Sequence, residues 1–223
     1  MPIEIIVSDG GSIDDTIQIA EKYADKVVQT TGGRYKQLNL GASVSSGKVL
    51  IFLHADTLLP KDALLQILHK FEDPEVIGGG FTKIWGWNPL IKRSRLVNYL
   101  MYFWEGFGNW TVQLIKSFPG DNAIFVRKHV FEDLNGFKPL WICEDFDFSR
   151  RLSKLKGKVI CINSPVKTSA RRFEKFGFLK TLFQWFVIYW LWSAGTSQAM
   201  LRRWFSTYHE FTARPVDNTY LWF

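Results

Sequence analysis

The feature that most constrains this chain is its opening alternation of short β-branched runs with helical patterns. Ile3, Ile5, Ile6 and Val7 form an apolar run that ends in Ser8-Asp9-Gly10-Gly11, which reads as a buried strand entering a turn. Ser12-Ile13-Asp14-Asp15 then makes a helix start. The Ser12 hydroxyl is placed to cap the free amide at Asp15, and both aspartates favour the positive end of the helix dipole. This helix should run to about Tyr23. Residues 27–29 read as a short strand, 37–45 as a helix closed by Gly47, 49–53 as a second buried strand, and 60–71 as a helix with Pro60 in its first turn. Such an order over short connections predicts an α/β fold with a mostly parallel central sheet flanked by helices. In such sheets ligands bind beyond the carboxyl ends of the strands. Asp9 and Asp56 both stand at such ends.

The middle is less regular. Residues 76–84 should form a strand containing Gly78-Gly79-Gly80, and 90–107 an aromatic-rich helix. Phe118-Pro119-Gly120-Asp121-Asn122 reads as a turn before a strand at 123–126. Glu144-Asp145 opens an amphipathic helix that continues through Arg150, Arg151 and Leu155 until Gly157, and a last strand covers 158–162. After Pro165 the character changes. Arg171-Arg172 precedes a helical stretch at 176–201, within which residues 181–201 carry no charge. The division predicted is a domain over 1–165 and a basic, aromatic helical region over 166–223.

That uncharged stretch has three readings. It is just long enough to span a bilayer, but Gln184, Ser193, Thr196, Ser197 and Gln198 dilute it. Its Trp and Tyr content, with Lys175, Lys180, Arg202 and Arg203 at the flanks, fits an interfacial helix better. The third reading packs it on the preceding domain. Tyr99, Tyr102, Phe103 and Trp104 would share the same apolar surface or join the core. The net charge of +7 over 223 residues asks for an anionic partner, either nucleotide phosphates or an acidic membrane surface. No nucleic-acid module interleaves the basic residues with aromatics, so nucleic acid is not an expected partner. Cys143 and Cys161 are too few for a disulfide framework and lack metal-site spacing, which places the chain in a reducing compartment. With no basic n-region and no h-region ahead of Ile3, the expected location is cytoplasmic, at the inner face of the cell membrane. The Asn109-Trp110-Thr111 sequon then carries no glycan.

Several chemistries are set aside by the motifs. Gly41 to Val49 imitates a phosphate loop, but it has one residue too many and Val49 where a hydroxyl should hold Mg²⁺. His54, His69, His129 and His209 are too scattered for a histidine metal cluster. Three acidic positions at loop starts remain: Asp9, Asp56 and Glu144-Asp145. Each alone fits a helix cap. Together they suit transfer of a sugar from a nucleoside diphosphate, which needs a group for the base, a carboxylate for a divalent cation and a general base for the acceptor hydroxyl.

The segment from Ile5 to Thr16, Ile-Ile-Val-Ser-Asp-Gly-Gly-Ser-Ile-Asp-Asp-Thr, resembles the second-strand signature of family 2 glycosyltransferases, which have the GT-A fold. Further blocks follow in the family's order. Gly33 through Gln37, Asn39 and Gly41 match its glycine/asparagine segment. Leu53-His54-Ala55-Asp56 occupies the slot of its Asp-x-Asp metal motif. Residues 119–127, from Pro-Gly-Asp-Asn, resemble its acceptor-side strand, and Asn135-Gly136-Phe137 the turn after it. Cys143-Glu144-Asp145-Phe146-Asp147 resembles its Glu-Asp catalytic helix.

The resemblance implies an inverting glycosyltransferase using a UDP- or GDP-sugar with Mg²⁺ or Mn²⁺. Asp9 would contact the base, and Gly33, Gln37, Asn39, Gly120 and Asp121 would line the nucleotide-sugar site. Asp56 would ligate the metal, and Asp145 would be the base with Glu144 beside it. The His-Ala-Asp form is most similar to a small bacterial subgroup linked to carotenoid-type acceptors, and an acceptor of lipid type is expected. His54 stands where the first Asp of the metal motif usually sits, so metal binding rests mainly on Asp56 and the diphosphate. The family also has a strand ahead of the 3–7 strand; either the true start lies upstream, or the chain is a degenerate relative with a gap in its sheet. Two rival readings are a nucleotidyltransferase of similar fold and a non-catalytic membrane-binding relative.

Overall fold

Ile6–Asp9 (β1) pairs in parallel with Lys26–Gln29 (β2) across the short helix Thr16–Ala20 (α1). The computed structural model describes residues 2–86 and 94–209, so positions 90–93 of the helix expected at 90–107 lie outside the described residues. Next come Arg34–Val44 (α2), Val49–Phe52 (β3), the two-residue strand Thr57–Leu58 (β4) and Ala63–Phe71 (α3). Val76–Gly86 (β5) and Arg95–Ile115 (α4) lead through a 3-10 turn at Gly120–Asn122 into Ile124–Arg127 (β6). Lys128–Asp133 (α5), Glu144–Leu152 (α6) and Lys158–Ser169 (β7) follow, and then Arg171–Phe176 (α7), Phe178–Ser193 (α8) and Gln198–His209 (α9).

The strands form a β1–β2 pair and a separate five-stranded sheet ordered β3-β6-β5-β7-β4. That sheet is mixed, where a mostly parallel one was expected. Only β5–β7 runs parallel within it; β6 is antiparallel to β3 and β5, and β4 to β7. The mixture has a consequence for the site. Because Phe52 pairs with Ile124, the chain enters β6 at the end where it leaves β3. The Gly120–Asn122 turn therefore lies beside residues 53–56.

Local chemistry explains the other departures. The Ser12 hydroxyl donates to Asp9 Oδ2 at 2.5 Å, so it does not cap α1, which ends at Ala20 instead of Tyr23. The glycine run in β5 permits close approach on both sides: a Cβ on Gly79 would lie 2.0 Å from the Ile160 carbonyl, and one on Gly78 2.7 Å from that of Phe125. Strand β7 continues past its expected end at residue 162. Its register slips between Ile162 and Val166, so Pro165 sits in the irregularity, where its missing N–H costs no ladder bond. The division expected at 165 thus falls inside β7.

One core cluster gathers Phe52, Phe131, Phe137 and Phe148, with ring centroids of Phe137 and Phe148 4.7 Å apart. Burial of such rings contributes about 1.5–3 kcal/mol each. Phe148 lies one turn beyond Glu144 and Asp145, so this packing fixes the start of α6. A second cluster joins Ile67, Phe81, Phe125 and Val166 on the other side. A third, of Trp85, Ala170 and Phe173, receives Trp104 from α4 and Leu182 and Trp185 from α8.

The stretch expected as one helix at 176–201 is two, broken where Gly195 takes a φ of 81°. The 16 residues of α8 extend about 24 Å at 1.5 Å per residue, short of a bilayer's hydrocarbon core. Among the described residues no helix is long and apolar enough to cross a membrane, which removes the spanning reading for this stretch.

Candidate active site

Helix α2 starts at Gly33, whose φ of 106° suits glycine and whose added Cβ would lie 3.1 Å from the Trp141 ring. Arg34 follows immediately and reaches across the sheet edge. Its Nε donates to Glu144 Oε1, its Nη2 lies 3.4 Å from Asp145 Oδ2, and its Nη1 lies 3.2 Å from His54 Nε2. The guanidinium has only protons to offer, so Nε2 of His54 accepts. Burial first, then the Arg34 charge, hold the His54 pKa below its usual value and keep the ring neutral. Burial and the neighbouring Asp145 charge push Glu144 up, against the pull of Arg34.

Asp145 is tied to the turn before β6. The Gly120 amide donates to its Oδ2, and the Phe146 amide to Oδ1 at 2.7 Å. A Cβ at Gly120 would stand 2.5 Å from His54 Nε2 and 2.9 Å from Asp145 Oδ2, so only glycine fits between them. The turn is anchored from both sides. Ser149 Oγ accepts from the Phe118 amide at 3.1 Å, and Asn122 Nδ2 donates to the Phe81 carbonyl at 2.6 Å. Two non-glycine residues at positive φ flank the site, Ala123 at 48° and Cys143 at 65°. Such geometry costs about 1–2 kcal/mol per residue and persists where the surroundings over-determine it.

Asp121 points to the other side of the turn, where Lys83 Nζ lies 2.8 and 2.9 Å from its two oxygens. Burial raises the Asp121 pKa, but Lys83, with Arg34 behind it, holds the carboxyl below the ordinary range. Asp56 lies after β3 and pairs with Arg171 Nη2 at 3.2 Å, while its main-chain oxygen accepts from the Ser169 amide. Both partners of this ion pair are partly exposed, so exchange for another charged group costs little.

The predicted residues fall into groups. Gly120, Asp121, Glu144 and Asp145 converge, with Asp56 at the edge and Gly33 behind Arg34. Asp9 forms a second group at the end of β1. It accepts from the amides of Gly11 and Ser12 and from the Ser12 hydroxyl, and that hydroxyl, outweighing burial, leads in lowering its pKa. Gln37, one turn beyond Arg34 on α2, lies so close over Gly10 that a Cβ there would meet its Nε2 at 2.2 Å. Helix α2 thereby couples the two groups. Asn39 is turned elsewhere: its amide clamps both backbone groups of Phe137, at 2.8 and 2.9 Å.

Sequence reasoning missed Arg34, Lys83 and Arg171 as members of this cluster. Arg34 stood unremarked between Gly33 and Gln37, and Lys83 was the charged residue in an otherwise uncharged strand.

The family model for "Glycosyl transferase family 2" matches residues 1–134, more than half of the chain. The chain belongs to this family. A family 2 relative, O-antigen chain rhamnosyltransferase WbaN of Salmonella anatum, is 28% identical over 184 residues, covering 75% of this chain and 57% of WbaN. The chain thus spans little more than half the length of the curated relatives it matches. Among solved structures, Staphylococcus aureus TarS in complex with UDP-GlcNAc is similar with a TM-score of 0.54 at 19% identity, covering 75% of this chain and 50% of that one. The mannosyltransferase PcManGT from Pyrobaculum calidifontis, in complex with GDP-Man and Mn²⁺, gives 0.50 at 19% identity, covering 73% and 45%. The fold is GT-A, as the family resemblance implied.

The donor set bears on the metal that GT-A proteins commonly use. Among the described residues no group of three or more His, Cys, Asp or Glu side chains could hold an ion. Asp56 supplies one carboxylate, and His54 is turned onto Arg34. This set does not suit a resident cation. It does fit one that arrives on a diphosphate, since Mg²⁺ and Mn²⁺ sites typically combine one or two carboxylates with substrate oxygens.

Proposed function

We propose that this chain transfers a glycosyl group, with inversion, from a UDP- or GDP-sugar to an acceptor hydroxyl. The observation that carries the reading is the convergence of Asp56, Asp121, Glu144 and Asp145 from three separate segments at one sheet edge, interleaved with Arg34, Lys83 and Arg171. WbaN's name and the ligands held by TarS and PcManGT support it. In this reading Asp9 meets the base, while Gly33, Gln37 and the Gly120-Asp121 turn line the donor. Asn39 positions that wall through Phe137.

Asp56 would hold a divalent cation together with the diphosphate, exchanging its pairing with Arg171. When bound, the cation offsets the charge that grows on the leaving phosphate. The acceptor oxygen bonds to the anomeric carbon, the bond from that carbon to the phosphate oxygen breaks, and the acceptor proton passes to Asp145. The diphosphate also offers Arg34 a second anion, and movement of Arg34 towards it frees Asp145 Oδ2 to act. Glu144, pushed up by burial, holds Arg34 when the donor is absent.

Product analysis tests this. Incubation with UDP- and GDP-sugars should release nucleoside diphosphate in step with glycoside, or with free sugar where water is the acceptor. Release of pyrophosphate from a nucleoside triphosphate and a sugar phosphate, with no turnover of any nucleoside diphosphate sugar, would favour nucleotidyl transfer instead.

A further inference from the structure

Helix α4 buries Met101 and Val112, and two polar residues also face the sheet: Asn109 exchanges two hydrogen bonds of 2.8 Å with the backbone of Lys83, and Glu105 accepts from the Trp85 amide at 2.7 Å. Apart from Trp104, its aromatic residues face outwards. Leu96, Tyr99, Tyr102, Phe103, Phe107, Trp110 and Leu114 are all exposed, and at 100° per residue they fall within an arc of about 140°. Arg95, in the first turn, is the one charged side chain in that arc.

Helix α8 repeats the arrangement. Leu182 and Trp185 pack, like Trp104 of α4, against the third core cluster, while Leu179, Phe183, Phe186 and Trp190 are exposed along a stripe spaced four, three and four residues apart. Both helices thus pack on one core cluster, and each leaves an apolar stripe exposed. A patch of this extent needs a partner. Its composition is that of a water–lipid boundary, with Tyr and Trp among the aliphatic residues and Arg95, Lys175 and Lys180 exposed at the helix ends.

We infer that the α4–α8 face is a docking surface for an anionic lipid bilayer, on which the chain lies without crossing. The net charge of +7 complements such a surface, and neither helix is built to span it. The face also reaches the candidate active site. Tyr189 of α8 packs against Phe146, the neighbour of Asp145, with ring centroids 5.2 Å apart. An acceptor held in the membrane then meets Asp145 from the lipid side. That last step rests on the transfer reading, whereas the docking does not.

Vesicle co-sedimentation of the chain alone, without donor, tests the docking separately from catalysis. The chain should bind phosphatidylcholine vesicles containing phosphatidylglycerol more tightly than phosphatidylcholine alone, and less tightly as salt rises. Trp110→Glu with Phe183→Glu changes side chains that are 58% and 68% exposed, so the melting temperature should hold while vesicle affinity falls about tenfold or more. Absence of wild-type binding to anionic vesicles would overturn the inference, as would a double variant that binds equally well. A wild-type dimer that the same variant dissociates, with no vesicle binding, would assign the face to a second copy instead.

Discussion

Asp145→Asn should reduce transfer by about a thousandfold while leaving donor affinity within a few-fold of wild type, since a positioned general base contributes about 10²–10⁴. Asn is the informative replacement. Asp145 is buried, and its oxygens receive the Gly120 and Phe146 amides, so alanine would orphan two donors along with removing the base. The amide keeps the shape and one acceptor, but it cannot take a proton. Single-turnover transfer and donor titration on the same preparation separate the two effects. Unchanged turnover would remove Asp145 from the proposed proton transfer.

Lys83→Met should be the most destabilising single change in the site, and by a route independent of substrate. It leaves Asp121, whose pairing with Lys83 is largely buried, without its cation. Removing one partner of a buried pair costs about 3–5 kcal/mol, which for this chain length lowers the melting temperature by roughly 10 °C.

The pH dependence identifies the cause. In the wild type the lowered Asp121 pKa contributes stability above the ordinary carboxyl value of 3.8, and this is lost as pH falls through the folded value. In the variant burial is opposed only by the more distant Arg34, and the carboxyl rises relative to the wild type. Its penalty then shrinks as acid protonates the group, so the gap between the two proteins should narrow as pH falls. Addition of Asp121→Asn should recover most of the loss at neutral pH. A gap that stays constant with pH would point to loss of the other contacts of the Lys83 side chain, whose Nζ lies 5.3 Å from the Trp85 ring centroid.

The strands, the helices and the ends where carboxylates collect were legible because period and turn chemistry are local. The apolar run at β3, the glycine-rich β5 and the acidic start of α6 each announce themselves within a dozen residues. What was not legible is non-local. Arg34 and Glu144 are 110 positions apart, and nothing in either neighbourhood names the other. The reversal of β6 is likewise a property of pairing with β3 and β5, and it brings Gly120 against Asp145. Asn39 illustrates a different limit. Its residue type suited a ligand contact, but the amide is occupied by the Phe137 backbone, a partner visible only once α2 and the loop after α5 are placed together. The break at Gly195 was hidden because a glycine in an apolar run reads as tolerated until its φ is known.

The proposed transfer requires a nucleoside diphosphate sugar held at Asp56 with a divalent cation. Calorimetric titration of UDP- and GDP-sugars into the chain, with Mn²⁺ and with chelator, on the wild type and on Asp56→Ala, tests it most directly. The expected result is Mn²⁺-dependent binding of one donor, weakened about tenfold or more in the variant, as loss of a charged ligand group implies. Donor binding that ignores both the chelator and the substitution would contradict it, as would no binding of any nucleoside diphosphate sugar.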